Sequence, residues 1–358
     1  MRKIQVRKKI VDSLEKCYAV NTLKMDGENF ILAASEVKGR CQIYNYQGEK
    51  IETVWTQIGG VMGFAQTPYD DGSFFATEDF YSPADSKNAK LILMVPRKVR
   101  ENGQRVWERH VVCPFPYLHR IAVHQGSKNS YLLLSALKSG EKTPGDWSYP
   151  GYVQLATLPQ SLDLLLEAIL DFRTILSGLP YNHGYSCRDE QDNATCLIAS
   201  DLGVHRLCFD RESEAWDILQ QSRRPASDAL LLDLNKDGRD ELLTIAPFHG
   251  DCIEIFALDK EGFKLDSKLP GHFPFLHAIC KFSLGTRPAA LLGYREGKRE
   301  TFILYFDENS GRYRTETIDS QAGAANALCL EENADYSRVI CTNRESNELV
   351  EYTISLCD

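Results

Sequence analysis

The chain has 358 residues, is 43% hydrophobic and 25% charged, and carries a formal net charge of −9. That apolar content fills a core and excludes a disordered chain, while the acidic balance argues against a nucleic-acid backbone or an anionic membrane as main partner. No apolar run reaches the ~18 residues of a membrane span.

Basic residues gather at the start (Arg2, Lys3, Arg7, Lys8, Lys9), but valine and isoleucine alternate through them where a signal peptide would carry an unbroken apolar stretch. A strand over "KIQVRKKIV" is expected instead. The eleven cysteines are scattered without a C-x-x-C pair, and Cys196, Cys280, Cys329 and Cys341 sit inside apolar runs. Buried free thiols in a reducing cytoplasm are the expectation, and a zinc site built on cysteine is not.

Helical periodicity is scarce, with Ser161 to Leu176 the one stretch suited to a helix, or equally to an insertion leading into another strand. Short Val/Ile/Leu/Phe/Tyr runs bounded by Gly, Asp, Asn and Pro recur in its place. Similar openings begin at Cys17 ("CYAVNTLK"), Val61 ("VMGFAQTP"), Leu118 ("LHRIAVHQ"), Asn182 ("NHGYSCRD"), Ser227 ("SDALLLDL"), Leu276 ("LHAICKFS") and Ala325 ("ANALCLEE"). Each is followed by a polar turn and further short strands. Seven units of roughly four strands, spaced about 40 to 60 residues apart, give propeller spacing.

The expected fold is therefore all-β, a single seven-bladed propeller. Its blades run over 17–58, 59–116, 117–180, 181–224, 225–271, 272–321 and 322–358. The last unit ends after three strands, so residues 1–16 are expected to supply its outer strand and close the ring. The alternative is a β-sandwich with a second β domain.

The unit "DLNKDGRDELLTI" resembles the FG-GAP or VCBS repeat of many propellers. Over most of the chain, the unit order and the motifs "FYSPADS", "KSGEKTPGDWSYPG" and "PFHGD" resemble the propeller of the aldos-2-ulose dehydratase group. That resemblance implies a sugar lyase dehydrating oxidised sugars such as 1,5-anhydrofructose.

Asp233, Asn235, Asp237 and Asp240 have the oxygen spacing of a small Ca²⁺ loop, but the twelfth position is Thr244, not glutamate. The competing reading, a tight turn whose Asp and Asn side chains bond their own backbone, needs no ion and is preferred.

Inner strands of a propeller line its channel. The second letters of the seven openings are Tyr18, Met62, His119, His183, Asp228, His277 and Asn326, so three of the eight histidines share one column. His119, His183, His277 and Asp228 are the expected ligands of a divalent transition metal (Zn, Mn or Ni). The alternative is a set of channel histidines bonded to one another and to water. His110, His124, His205 and His272 fall outside the column and are read as structural or surface residues.

Loops after the second strands should crowd the same mouth. They bring His249 as base or acid, with Tyr81 or Lys138 as its partner, and Glu78, Asp79, Asp146, Trp147, Tyr149, Arg295, Asn326 and Arg344 as substrate contacts. The expected chemistry is a metal-dependent carbon–oxygen lyase on an oxidised (keto) sugar or glycoside, by proton abstraction next to a carbonyl and β-elimination. A non-catalytic carbohydrate- or protein-binding propeller is one alternative, and a metal-dependent hydrolase or epimerase another. Nucleophile-elbow, P-loop and dinucleotide motifs are missing from the sequence.

Overall fold

The computed structural model describes residues 3–99, 105–269 and 271–357. Seven four-stranded antiparallel sheets follow one another around a ring. Their innermost strands are Cys17–Met25, Phe64–Gln66, Leu118–Gln125, Gly184–Asp189, Asp228–Leu232, Leu276–Leu284 and Ala324–Glu332. In the seventh sheet Lys3–Ser13 lies outermost, against Glu348–Cys357, with Ile4 opposite Leu356 and Val6 opposite Ile354. The first and last strands of the chain thus share one blade, and the ring is closed by ordinary strand pairing.

Second strands read as continuous apolar runs because both their faces are covered. Glu241–Ala246 is buried throughout, as is Phe30 to Ser35. Outer strands alternate or face water; Gly262–Lys268 has no fully buried residue. Adjacent blades meet through buried apolar clusters, one for each of the seven interfaces. Leu23, Phe64 and Phe74 join the first blade to the second, and Leu14, Tyr44 and Ile340 join the seventh to the first. Truncating one such aromatic, Phe74→Ala, should cost about 3–5 kcal/mol, since the neighbours cannot collapse into the void.

The expected helix is a single short one, Leu162–Glu167, capped by Ser161, whose hydroxyl accepts from the Leu164 N–H. The rest of that stretch joins the outer strand Arg173–Leu179, because the blade needs its fourth strand more than the chain favours helix. No helix among the described residues is long and apolar enough to cross a membrane.

Candidate functional site

The start of each inner strand sets the site. Tyr18, His119 and His277 each occupy the residue skipped at a register shift, where neighbours on both sides pair and they do not. Such bulges re-aim a side chain. Here they turn it toward the centre of the ring, where Tyr18 meets His277 and His119 meets His183, leaving Tyr18, His119 and His277 at most 3% exposed. His183 stands just before its strand, donating its backbone N–H to Ala199 O.

Ser227 donates to Ile245 O in the same way, which makes Ser227, not Asp228, the counterpart of His183. In the seventh blade the skipped residue is Ala325, not Asn326. Asp228 and Asn326, expected beside the histidines, are one position deeper, because a one-residue slip turns a strand's side chains to the other face. Asp228 Oδ1 accepts the Ala229 N–H at 2.9 Å, and Oδ2 lies 3.8 Å from the Arg120 guanidinium. Burial raises its pKa to about 6. The Asn326 amide donates to Tyr18 O at 2.8 Å.

Backbone carbonyls fix the histidine tautomers. The Nδ1–H groups of His119, His183 and His277 donate to His183 O (3.2 Å), Ser227 O (3.0 Å) and Ala325 O (2.7 Å), each on the next blade. A carbonyl can only accept, so Nδ1 carries the proton and Nε2 keeps its lone pair. Burial holds all three imidazoles well below the ordinary histidine pKa, hence neutral.

His249 enters from the loop between Glu241–Ala246 and Cys252–Asp259. Its backbone has φ of +45°, a left-handed conformation that non-glycine residues hold only when their surroundings impose it. Those surroundings are Phe248, stacked on its ring at 3.9 Å, and Phe275, edge-on at 4.3 Å. A Cβ on the next residue, Gly250, would lie 2.2 Å from Ala246 O, so only glycine closes this turn. His249 Nε2 is 3.3 Å from His183 Nε2, and burial brings its pKa down to about 3.

One ring nitrogen each of His183, His249 and His277 lies within 4.8 Å of the other two. Two imidazole nitrogens bound to one ion at 2.0–2.1 Å in tetrahedral geometry are about 3.3 Å apart. The spacing and protonation of this trio therefore fit a transition metal. His249, expected as the base, belongs to the trio, whereas His119 and Asp228, expected as ligands, do not. His119 lies against His183 with ring centres 4.5 Å apart and ring planes tilted by 36°. Tyr18, passed over as a functional residue, has its hydroxyl 3.1 Å from His277 Nε2, whose one lone pair serves either this hydroxyl or an ion. Its position in the histidine column was the sequence signal.

The other expected residues divide into two groups. Trp147 stacks on Tyr181 at 4.3 Å and meets Phe248 edge-on at 5.3 Å, building an aromatic wall against His183. Lys138, 1% exposed, pairs with Glu141 at 2.6 Å and lies over the Tyr117 and Trp147 rings. Arg295 makes a fork to Glu345 at 2.9 and 3.1 Å and covers Phe275. Arg344 bonds Glu36 and Glu345. Burial works against the Glu345 charge, yet the Arg295 and Arg344 bonds hold its pKa to about 2.

Glu78, Asp79 and Tyr81 turn elsewhere. Glu78 pairs with Arg109, Asp79 with Lys90, and the Tyr81 hydroxyl donates to Asp79. Asp146 caps its own loop by accepting the Lys142 and Ser148 N–H groups, and Tyr149 packs beside Gly140. The acidic turn is likewise self-satisfied. Asp233 accepts from Asp237 and Gly238, Asn235 accepts from Asp237, Asp237 accepts from Arg239, and Asp240 pairs with Arg188.

No family model matches the chain, and no curated protein does. Among solved structures it is similar to virginiamycin B lyase from Staphylococcus aureus, at 12% identity over 98% of this chain and 99% of that one, with a TM-score of 0.55. A catalytically inactive His-to-Ala variant of that lyase with quinupristin gives the same figures. The β-propeller domain of Myceliophteria thermophila Cps50 (Swd1) matches at 12% identity over 97% and 99%, with a TM-score of 0.56. At this identity the likeness establishes the seven-bladed propeller fold.

Proposed function

We propose that this propeller is a metal-dependent carbon–oxygen lyase acting on an oxidised (keto) sugar or glycoside at its histidine-lined mouth. The observation that carries the reading is the convergence of three neutral imidazoles, His183, His249 and His277, two of them oriented by backbone carbonyls. Metal-binding histidines are held this way by groups behind them. Zn²⁺, Mn²⁺ or Ni²⁺ suits such ligands and, when bound, supplies a Lewis acid that polarises a carbonyl oxygen.

The chain's own groups do the rest. His119, neutral and packed against His183, takes the proton from the carbon next to the carbonyl. The electrons left behind form the carbon–carbon double bond as the β carbon–oxygen bond breaks. Tyr18, kept protonated by burial, gives its proton to the departing oxygen. Trp147, Tyr181 and Phe248 offer a flat apolar wall for a sugar ring, and the partly exposed Glu141, held by Lys138, offers a polar group for hydroxyls. Lyases among the similar propellers, one inactivated by losing a histidine, support histidine-centred elimination on such a ring. Eleven free cysteines suit the reducing cytoplasm proposed as its location.

The test is metal analysis of protein purified without chelators, with elimination assays on keto sugars, glycosides and quinupristin followed by absorbance of the new conjugated double bond. Bound transition metal and turnover, both lost in the His183→Ala/His277→Ala variant, are expected. Absence of metal and of turnover across the panel would overturn the reading in favour of a binding propeller.

A further inference from the structure

We infer that His124, Cys187 and Cys196 form a second metal site, of thiolate–imidazole type and suited to Zn²⁺, joining the third and fourth blades. It uses none of the mouth's residues and stands independently of the lyase reading.

His124 is near the end of the third blade's inner strand. Cys187 and Cys196 face each other across the first two strands of the fourth blade as direct pairing partners. One ligand atom from each lies within 4.8 Å of the others. Cys196 Sγ is 3.7 Å from His124 Nε2 and 2.9 Å from Cys187 Sγ. With zinc–sulfur and zinc–nitrogen bonds of about 2.3 and 2.0–2.1 Å, a tetrahedral site spaces sulfur from nitrogen by about 3.6 Å and sulfur from sulfur by about 3.8 Å. The first spacing is met, and the second needs the thiols to part by roughly 0.9 Å. Cys187, partly exposed to the channel, has room to make that movement.

A fourth position is also provided. The Tyr185 hydroxyl lies 3.0 Å from His124 Nε2 and 3.5 Å from Cys196 Sγ. Tyr185 is two residues from Cys187 on one strand, so both side chains take the same face. It supplies its own oxygen or holds a water there. Trp216, edge-on at 5.2 Å, and Phe209 wall the His124 ring.

Charge and access agree with this assignment. Cys196 and His124 are buried, at 0% and 3% exposure. A divalent ion on two thiolates and a neutral imidazole is net neutral, the form of ion cluster that tolerates low dielectric. Binding releases the two thiol protons to water. Entry is through the central channel, a cavity of about 450 Å³ lined by Tyr185, Cys187, Arg120 and Cys280. Four residues separate Cys187 from His183, about 13 Å along the strand, so the two centres are distinct.

The experiment adds Co²⁺ to the reduced full-length protein. A sulfur-to-cobalt charge-transfer band is expected, lost in Cys187→Ser and in Cys196→Ser but retained in His183→Ala/His277→Ala, whose missing ligands are all nitrogen. Because Cys196→Ser could fail to fold, the wild type is also alkylated with iodoacetamide with and without Zn²⁺, and protection of the partly exposed Cys187 read by peptide mass is expected. No charge-transfer band, a band that survives both cysteine variants, no protection by Zn²⁺, or a Cys187–Cys196 disulfide that persists under reductant would each overturn the site.

Discussion

His183 Nε2 and His249 Nε2 lie 3.3 Å apart although 66 residues separate them in the chain. His183 arrives at the head of an inner strand, its Nδ1–H fixed by Ser227 O, while His249 arrives on a loop of the next blade. Ser227 binds both, since its hydroxyl also accepts the His249 backbone N–H at 3.2 Å. A channel residue and a loop residue are thereby locked into one constellation.

This contact makes His249→Ala a discriminating substitution. As a ligand, His249 should take metal with it: His249→Ala should lower both metal content and turnover. Tyr18→Phe should keep the metal and reduce turnover by about 10²–10⁴-fold, the usual worth of a general acid. Metal analysis beside kinetics checks both. Full metal content with no turnover in His249→Ala would make this residue the base instead.

Acid should destabilise the metal-free protein. Burial lowers the pKa of His119, His183, His249 and His277 in the folded state. Below about pH 6.5 the unfolded chain therefore binds more protons, and stability falls with pH. Each such histidine removes up to about 1.4 kcal/mol per pH unit. For His249 this window extends down to about pH 3. Asp228, raised to about 6, acts in the opposite direction below that pH but offsets only one of the four. Thermal unfolding after chelation should show the midpoint dropping from pH 7 to pH 5, and a flat or rising midpoint would contradict the assignment.

Deleting residues 1–13 should open the ring. Lys3–Ser13 covers the edge of Glu348–Cys357, and Ile4 packs with Phe282 and Ile354. An uncovered edge strand pairs with other chains. The truncated protein should aggregate or lose its cooperative transition, as read by light scattering and calorimetry. A monomeric ring of unchanged stability would show the closure to be dispensable.

The acidic turn should be silent in the chemistry. Asp240 and His249 flank the six-residue strand Glu241–Ala246, and a strand of that length holds its ends about 20 Å apart. Asp237→Ala removes the acceptor of the Arg239 N–H and should cost about 0.5–1.5 kcal/mol while leaving turnover intact. Loss of turnover in this variant would reverse the assignment of the active face.

The sequence by itself determined the blade count and the closing strand. Both depend on local alternation and turn residues, and strands paired through short turns inherit their order from the chain. It also placed His119, His183 and His277 in one channel column, because recurrence of an opening marks equivalent positions. Tertiary structure decided which of them face one another. Bulges at Tyr18, His119 and His277 leave no trace in composition, so counting letters put Asp228 and Asn326 beside the histidines when each is one position deeper. The joining of His249 to the trio, and of His124 to Cys187 and Cys196, arises between blades. Distances across a blade interface are set by how whole sheets pack, a relation that no spacing along the chain encodes.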